Sequence, residues 1–511
     1  MKSIYKKYGE FYKNNLKLLL FNLVLVAVVF GCRIFAHAIS VDTDKVICNP
    51  YSDIDWLVIG RWGLVLIRSI FQTRWFNPYI SGVLCYFTII VFLMTFSFVF
   101  SYISEKKMNY FIFCGLFITH PFFAFQWFFK LQEFEIAFSI LLIALALLAV
   151  FYWLKENNII ALVVGLFLMC WSFSCYETNI ILYIAGALIG YLLLKQTYSK
   201  KESQIICVKL IVSFLGAVAF LLLIMSLFFN NEVEKEYSIL WGTVSAAQCL
   251  LNIAKSIGVM IIGYRMFNVA FSCLIIGSFL IFIAMVKKKI KINWFRIVVF
   301  LALLAVPFAE VIVTGNTLVY RSQYVLPFVI GGGAMYLLSF CEKEQIAPKC
   351  ARIIVYVLAT VFVVQQCQAT LRLWYTDDVR YDQDCRKLQS LLESINDEGI
   401  DYSDKSIIFY GKWEAPLNGA CYSKIEMFGF SYFDMYTEYP PNYFWSSDNL
   451  QKLATINGYD YLQPKEEQAI EAQTLVKEMP EWPEKGCIQD EGDYVIVNLG
   501  NREGINSGER K

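Results

Sequence analysis

The sequence predicts an α-helical polytopic membrane protein with a small extracytoplasmic α/β domain at its C-terminus. Two observations lead to this fold class. Of the 511 residues, 58% are hydrophobic and 17% are charged, and the mean hydropathy is +0.51, outside the range of ordinary soluble domains. The apolar residues are also gathered into long runs, each able to cross a hydrocarbon core of about 30 Å.

About eleven of these runs, each of about 18 to 25 residues, are predicted to be transmembrane helices. The first run is longer than the apolar region of a signal peptide and lacks a small-residue cleavage site, so we expect it to remain as the first helix. The predicted spans lie near residues 16–39, 78–102, 109–128, 133–153, 158–175, 178–194, 205–229, 267–286, 295–313, 322–340 and 351–369.

Lysine and arginine residues predict the orientation of the chain. The segments "MKSIYKKYGEFYKNNLK", "SEKKMN", "WLKENN" and "KKKIKINWFR" fall on one side of an eleven-helix arrangement, which the positive-inside rule makes cytoplasmic. The N-terminus is therefore predicted to be cytoplasmic. Residues 1–371 form the predicted membrane domain, and residues 372–511 form the extracytoplasmic domain.

The predicted first outer loop, residues 40–77, contains a second apolar stretch. Within residues 55–75, Arg61, Arg68 and Gln72 recur at intervals of seven and four residues. These polar residues form a stripe, which favours an amphipathic helix lying in the membrane interface. The alternative is a further span, which would move the next lysine-rich loop to the outside.

The C-terminal domain has mixed periodicity. Residues 406–411 and 493–500 are typical of short strands. A three-to-four spacing predicts an amphipathic helix carrying Tyr381, Cys385, Leu388, Leu391, Leu392 and Ile395. Cysteines 385, 421 and 487 could form one disulfide and leave one free thiol.

Four aspartates follow the first span in "HAISVDTDKVICNPYSDIDW". Asp42 and Asp44 are two residues apart, so in an extended loop their side chains share one face. A carboxylate facing outward near a lipid-linked substrate could take the proton from an acceptor hydroxyl as that oxygen attacks a sugar C1, and a phosphate leaving group would need no proton from the enzyme. The alternative is that the aspartates solvate the loop and complement the helix ends.

Cations are scarcer on the predicted outer side than on the cytoplasmic side. Lys130, Arg265 and Arg321 lie at predicted span ends, and Arg61 lies on the predicted interfacial helix. Such side chains could bind a polyprenyl phosphate, with arginine doing so bidentately, or could snorkel to lipid headgroups as anchors. Glu177 lies at another predicted span end, where an ionisable group indicates a polar cavity unless it faces water.

Five segments in order resemble the Gtr type II family of bacterial membrane glucosyltransferases. They are "ISVDTD" at the end of the first helix, "GRWG", "CYETN" between two helices, "YRSQYVLPF" opening a late helix, and "YDQDCRKLQ" after the last span. The resemblance extends along nearly the whole chain and is strongest over residues 37–75. No single segment is specific.

The resemblance implies a GT-C-like fold in the bacterial plasma (inner) membrane. It further implies a polyprenyl-phosphate-linked sugar donor, typically undecaprenyl-phosphate glucose, and a cell-surface polysaccharide acceptor such as O-antigen. Asp42 or Asp44 would occupy the position of the catalytic base, with Arg61 in the Gly-Arg motif and Arg321 as the late-loop arginine. Tyr176-Glu177 would bind substrate, although the family more often has Tyr-Gln, which leaves the identity of the donor open.

Two other functional classes are consistent with parts of the pattern. A transporter or flippase for lipid-linked sugars should carry ionisable or Gly/Pro-broken positions deep within several spans, whereas the mid-span positions are nearly all apolar. A non-catalytic surface protein would make the aspartates dispensable. No cofactor is required by the pattern, although paired carboxylates also suit Mg²⁺ or Mn²⁺. Membrane lipid is an expected partner and nucleic acid is not.

Overall fold

The computed structural model describes residues 2–50, 54–104, 108–194, 200–229, 239–263, 269–290, 293–346, 348–437 and 442–502, and these are mainly helical. The α-helices in chain order are α1 (Lys2–Asn14), α2 (Leu16–Phe35), α3 (Thr43–Cys48), α4 (Ile54–Val58), α5 (Trp62–Phe71), α6 (Pro78–Ile103), α7 (Tyr110–Ile118), α8 (Pro121–Trp127), α9 (Glu133–Glu156), α10 (Ile159–Phe173), α11 (Thr178–Leu193), α12 (Lys200–Phe228), α13 (Ala246–Ile262), α14 (Ala270–Lys287), α15 (Trp294–Ala305), α16 (Ala309–Thr314), α17 (Val325–Lys343), α18 (Lys349–Asp397), α19 (Phe444–Ile456) and α20 (Glu466–Leu475). Short 3-10 helices occupy Lys130–Gln132, Val306–Phe308, Tyr320–Ser322 and Val476–Glu478.

Helices occupy each of the predicted spans. In the described part of the chain, eight helical segments are long and apolar enough to cross a membrane, and a ninth span results if α7 and α8, which meet at 51°, are counted as one. The two remaining predicted spans are α10 and α11, with 15 and 16 residues. At a rise of about 1.5 Å per residue they are about 23 Å long, shorter than a typical span.

Aromatic side chains form the centre of the helical bundle. The ring of Phe328 on α17 lies 5.0 Å from Phe96 on α6, 5.5 Å from Phe113 and 5.1 Å from Phe117, the last two on α7. These contacts are edge-to-face, a geometry that aromatic quadrupoles favour. Gly331, one turn further along α17, allows the helices to approach, because a Cβ there would lie 2.7 Å from the carbonyl oxygen of Phe113.

The C-terminal region contains a three-stranded sheet in the order β1-β3-β2, formed by β1 (Ser406–Trp413), β2 (Ile488–Asp490) and β3 (Tyr494–Arg502). Strands β1 and β3 are parallel, with Ser406 opposite Tyr494, and β2 is antiparallel to β3. Both predicted strands are therefore present. The predicted amphipathic helix is also present as the last part of α18, which runs for 49 residues through the boundary predicted near residue 371.

The C-terminal core also includes the segment that precedes the aspartates. Ala38, Ile39 and Val41 are buried in the same hydrophobic cluster as Leu388 of α18 and Phe409 of β1. Residues just after the first span therefore pack directly against the C-terminal region. The predicted fold class is confirmed: the protein is a polytopic helical membrane protein, consistent with a GT-C-like fold, with a small sheet-containing C-terminal region.

The polar stripe of the first loop has a different setting from the one predicted. The segment forms two short helices, α4 and α5, separated at Gly60, whose φ of 78° suits glycine. Arg68 is fully buried rather than facing headgroups, and its Nε donates to Glu135 Oε1 at 3.2 Å. Sequence periodicity identified a polar face but could not show that this face meets a carboxylate of α9.

Candidate functional site

The loop after the first span holds Asp42 in an unusual backbone conformation. Asp42 is the residue before α3, and its φ is 71°, in the left-handed region that non-glycine residues rarely adopt. The following turn is fixed by a 2.8 Å hydrogen bond between the hydroxyls of Ser40 and Thr43, and the N–H of Leu131 donates to Thr43 Oγ1 at 3.3 Å. These bonds hold the loop against the bundle, and backbone strain of this kind is often found at functional sites.

The two aspartates that the sequence singled out are not equivalent. The side chain of Asp42 is exposed, whereas Asp44 is fully buried and its Oδ1 accepts the N–H of Lys45 at 2.7 Å. Although solvent reaches the Asp42 carboxylate, many protein atoms surround it, so desolvation raises the pKa of Asp42, and the charges of Arg321 and Lys45 oppose this shift. Burial raises the pKa of Asp44 to about 7, opposed mainly by the charge of Lys452. Asp42 is therefore the carboxylate that a substrate can reach.

Arg321 and the loop of Asp42 contact the same segment, since Arg321 lies over the ring of Phe129 and the N–H of Leu131 bonds to Thr43, and the charge of Arg321 acts to lower the pKa of Asp42. It sits in the short 3-10 helix before α17, its guanidinium lies 5.3 Å from the ring centroid of Phe129, and 41% of its side chain is exposed. Its nearest carboxylate is Glu426, with Nε and Oε1 3.9 Å apart. In the part of the chain that the structure describes, this guanidinium donates no hydrogen bond, so its donors remain available to a ligand.

Arg61 and Glu177 form an ion pair beside Tyr176. Arg61 Nη2 lies 3.1 Å from Glu177 Oε2, and its guanidinium lies 4.9 Å from the ring centroid of Tyr176. Burial raises the pKa of Tyr176 to about 12, opposed by the positive charges of Arg61 and then Arg321. Tyr176 therefore lies within reach of both charges. We use the name Asp42–Arg321 cluster for five residues: Asp42, Arg61, Tyr176, Glu177 and Arg321.

The chain matches the Glucosyl transferase GtrII family over residues 31–338. It belongs to the GtrII family. This membership makes it a membrane glycosyltransferase, and it confirms the predicted resemblance. Comparison with curated proteins and with solved structures finds no match to the chain. The matched region contains every member of the Asp42–Arg321 cluster, whereas the whole of α18 and the C-terminal sheet lie outside it.

Lys130 of the GtrII protein bonds to the backbone at the start of the first loop. It is buried, and its Nζ donates to the carbonyl oxygen of Ala36, one residue past the end of α2, at 2.6 Å. The bond satisfies a carbonyl at the C-terminal end of a helix, where positive charge is favourable. The bond helps to hold the first loop, whereas the guanidinium of Arg321 donates no hydrogen bond to the described residues; phosphate binding by Lys130 stays a prediction.

Asp53, one of the four aspartates after the first span, and Arg265 lie outside the described residues. Asp55 pairs with Lys45, with Nζ and Oδ2 2.5 Å apart, and half of each side chain is exposed. The three C-terminal cysteines are free thiols, so the disulfide considered for them is absent.

Buried charges near the same end of the bundle were missed by the sequence analysis. Arg33 pairs with Asp377 at 3.0 Å, and Arg380 pairs with both Asp377 and Asp384, all of them buried. Asp384 also accepts a hydrogen bond from the Ser431 hydroxyl at 2.5 Å. The sequence did contain a signal for this pairing, because burying an arginine such as Arg33 inside the first apolar run costs free energy unless the charge is paired. Its partner, 344 residues away, had no local signature.

The described residues contain no group of three or more His, Cys, Asp or Glu side chains arranged to hold a metal ion. In this loop Asp42 and Asp44 could offer oxygen ligands, and Asp44 Oδ1 already accepts the N–H of Lys45. A divalent ion held there would take its remaining ligands from other groups, substrate or water. The proton-transfer chemistry considered below does not depend on such an ion.

Proposed function

We propose that the protein transfers a sugar, most simply glucose, from a polyprenyl-phosphate donor to a cell-surface polysaccharide such as O-antigen. The reaction would take place at the outer face of the bacterial plasma (inner) membrane, with the N-terminus in the cytoplasm and the C-terminal region outside. GtrII family membership supports the transfer of a glucosyl group. The distribution of lysine and arginine among the loops supports the orientation.

One observation carries this proposal. The loop that carries the exposed carboxylate of Asp42 and the uncommitted guanidinium of Arg321 both contact residues 129–131 at one end of the membrane-embedded bundle. A carboxylate can accept a proton from an attacking hydroxyl, and a guanidinium can bind a phosphate through two parallel hydrogen bonds. A phosphate-linked sugar held between them meets both requirements at the membrane surface.

The proposed reaction is a single displacement at the sugar C1. The acceptor hydroxyl oxygen forms the new bond to C1 while its proton passes to Asp42, and the bond from C1 to the phosphate oxygen breaks with its electron pair remaining on the phosphate. Arg321 stabilises the negative charge that grows on that phosphate. Desolvation raises the pKa of Asp42, which makes it a stronger base than a fully solvated aspartate.

Arg61, Tyr176 and Glu177 are proposed to bind the substrate on the other side of the cluster. Arg61 is ion-paired to Glu177, so it would reach a phosphate only by sharing its donors between the two anions. Glu177 is 66% exposed and could accept hydrogen bonds from sugar hydroxyls. We assign Arg321 as the principal phosphate ligand and Arg61 as the secondary one. Asp44, buried behind Asp42, is the alternative base.

The experiment compares the wild type with Asp42→Asn, Asp44→Asn and Asp55→Asn in a bacterial host that makes polyprenyl-phosphate hexoses. Membrane levels are first equalised, and the host's surface glycans are then weighed by mass spectrometry. The Asp42→Asn variant should retain the loop, because asparagine tolerates positive φ better than most residues. Asp55→Asn is the matched control, since Asp55 is an exposed aspartate near the loop that pairs with Lys45.

We expect a hexose increment with the wild type and with Asp55→Asn, and a loss of about 10² to 10⁴ in transfer rate with Asp42→Asn. An increment that survives Asp42→Asn but disappears with Asp44→Asn would move the base to Asp44. An increment that survives both substitutions would remove the proposed mechanism. A wild type that adds no hexose to any of a set of matched acceptors would refute the proposed activity.

A further inference from the structure

A tight turn of the C-terminal region reaches into the membrane bundle beside Arg321. The turn is closed by reciprocal backbone hydrogen bonds between Ile425 and Phe428, of 3.1 Å and 3.0 Å. Phe428 is fully buried, and its ring centroid lies 4.9 Å from that of Phe128 and 5.7 Å from that of Trp374. The apolar contacts anchor the turn, so the two residues between its ends are held in a defined place.

One of these two residues is Glu426, which adopts a positive φ of 50°. Its Oε2 accepts the N–H of Tyr320 at 2.9 Å, which fixes the carboxylate against the backbone that carries Arg321. Its Oε1 is buried, forms no hydrogen bond with the described residues, and lies 3.9 Å from Arg321 Nε. The carboxylate therefore acts on the Nε side of the guanidinium by charge, without consuming its donors.

We propose that Glu426 is a positioning residue that holds the Arg321 guanidinium in place for the donor phosphate. This inference rests on the proposed function, and it assigns a role to a residue beyond the matched region of residues 31–338. Arg321 is constrained on one side by the ring of Phe129 and on another by Glu426. An arginine held on two sides loses less conformational freedom when it binds phosphate, so binding is tighter.

The ion pair with Glu426 leaves the hydrogen-bond donors of Arg321 for phosphate. A phosphate presented by the donor forms two direct hydrogen bonds with a guanidinium, whereas Glu426 offers only a 3.9 Å ion pair. Phosphate can therefore bind the guanidinium without displacing the carboxylate. Glu310 faces the same arginine and is already committed, since it accepts hydrogen bonds from Ser322 at 2.7 Å and Gln323 at 2.9 Å.

The test is a double-mutant cycle with Arg321→Ala, Glu426→Gln and the combined variant in the full-length protein. The glutamine introduced by Glu426→Gln keeps an oxygen that can accept the Tyr320 N–H, so the turn should survive while the charge is lost. Glu414→Gln is the matched control: it removes a carboxylate of the same region that pairs with Lys424. Two quantities are measured: kcat and KM for polyprenyl-phosphate glucose, and the Kd of undecaprenyl monophosphate for the purified protein.

We expect Glu426→Gln to raise the donor KM and the undecaprenyl phosphate Kd about fivefold with little change in kcat, and Glu414→Gln to change neither. In the Arg321→Ala background, Glu426→Gln should have no further effect, because its role acts through the arginine. An equal effect in both backgrounds, or unchanged KM and Kd, would overturn the inference while leaving the transferase intact. A wild type that neither binds undecaprenyl phosphate nor transfers glucose would refute the proposed function and this inference together.

Discussion

The buried ion pair between Arg68 and Glu135 leads to an asymmetric prediction about stability. Arg68 is fully buried and Glu135 nearly so, with Nε and Oε1 3.2 Å apart. A guanidinium cannot lose its proton in a protein, whereas a carboxyl group that loses its partner can neutralise itself by binding one. Removing Glu135 should therefore cost more than removing Arg68.

The magnitudes follow from what each substitution leaves behind. In Glu135→Leu, the buried guanidinium of Arg68 keeps its contacts with the Leu131 carbonyl and the face of Trp56 but has no counter-charge. We therefore expect the free energy of unfolding to fall by about 3 to 5 kcal/mol. Arg68→Met leaves a carboxyl that still accepts the Thr73 hydroxyl, and we expect a loss of about 1 to 3 kcal/mol. The double variant Arg68→Met/Glu135→Leu replaces the pair with apolar side chains and should be more stable than Glu135→Leu.

The assay is unfolding of the purified protein by SDS titration in mixed micelles, followed by circular dichroism. The control is Lys6→Gln, which disturbs an exposed ion pair with Glu10, 4.0 Å apart, and should change stability by less than about 1 kcal/mol. Equal losses for the two single variants would refute the protonation argument. A double variant no more stable than Glu135→Leu would show that the cost does not come from an uncompensated charge.

Three further outcomes are expected. Arg321→Lys should retain part of the activity that Arg321→Ala loses, because an ammonium still binds phosphate as a point charge, although without the bidentate fork. The difference between the two variants should lie mainly in the donor KM, and equal kinetics would contradict this prediction. Burial raises the pKa of Asp44 to about 7, above its unfolded value of about 3.9. Between these two pH values the unfolded state gives up this proton more readily than the folded state, so the free energy of unfolding falls as the pH rises. Between about pH 5 and pH 8, the free energy of unfolding should therefore fall less for Asp44→Asn than for the wild type. An equal fall in the two proteins would contradict this prediction. Gly331→Ala should lower the free energy of unfolding by about 1 to 3 kcal/mol, since its Cβ would lie 2.7 Å from the Phe113 carbonyl oxygen. An unchanged free energy of unfolding in SDS would show that the two helices can move apart at little energetic cost.

The parts of the fold that were predictable are those governed by local pattern. Long apolar runs have few stable solutions in a bilayer other than helices, which explains why each predicted span is helical. Asp42, Tyr176 and Arg321 each follow or precede a span at the same end of the bundle, and Arg61 lies in the loop at that end. Once the spans and their alternation are known, residues at corresponding ends are expected to lie in one layer.

The parts that were not predictable depend on long-range pairing. Arg68 finds its carboxylate 67 residues away, and the Tyr320 N–H finds Glu426 at a separation of 106 residues. Periodicity describes which face of a helix is polar and carries no information about what that face meets. Lys130 illustrates the same point, since a cation at a span end can serve a ligand or a helix carbonyl with equal local sequence.

The length of α18 has a mechanical consequence. Its 49 residues correspond to a contour of about 73 Å at about 1.5 Å per residue, more than twice a hydrocarbon core of about 30 Å. Because α18 is continuous, its length sets the distance of the sheet region from the membrane bundle, and its helical phase sets the rotation of that region about the helix axis. One residue inserted near position 371 would turn everything beyond it by about 100°, and with it the turn that carries Glu426. Insertion of seven residues, about two turns, would nearly restore the rotation but lift that turn by about 10 Å.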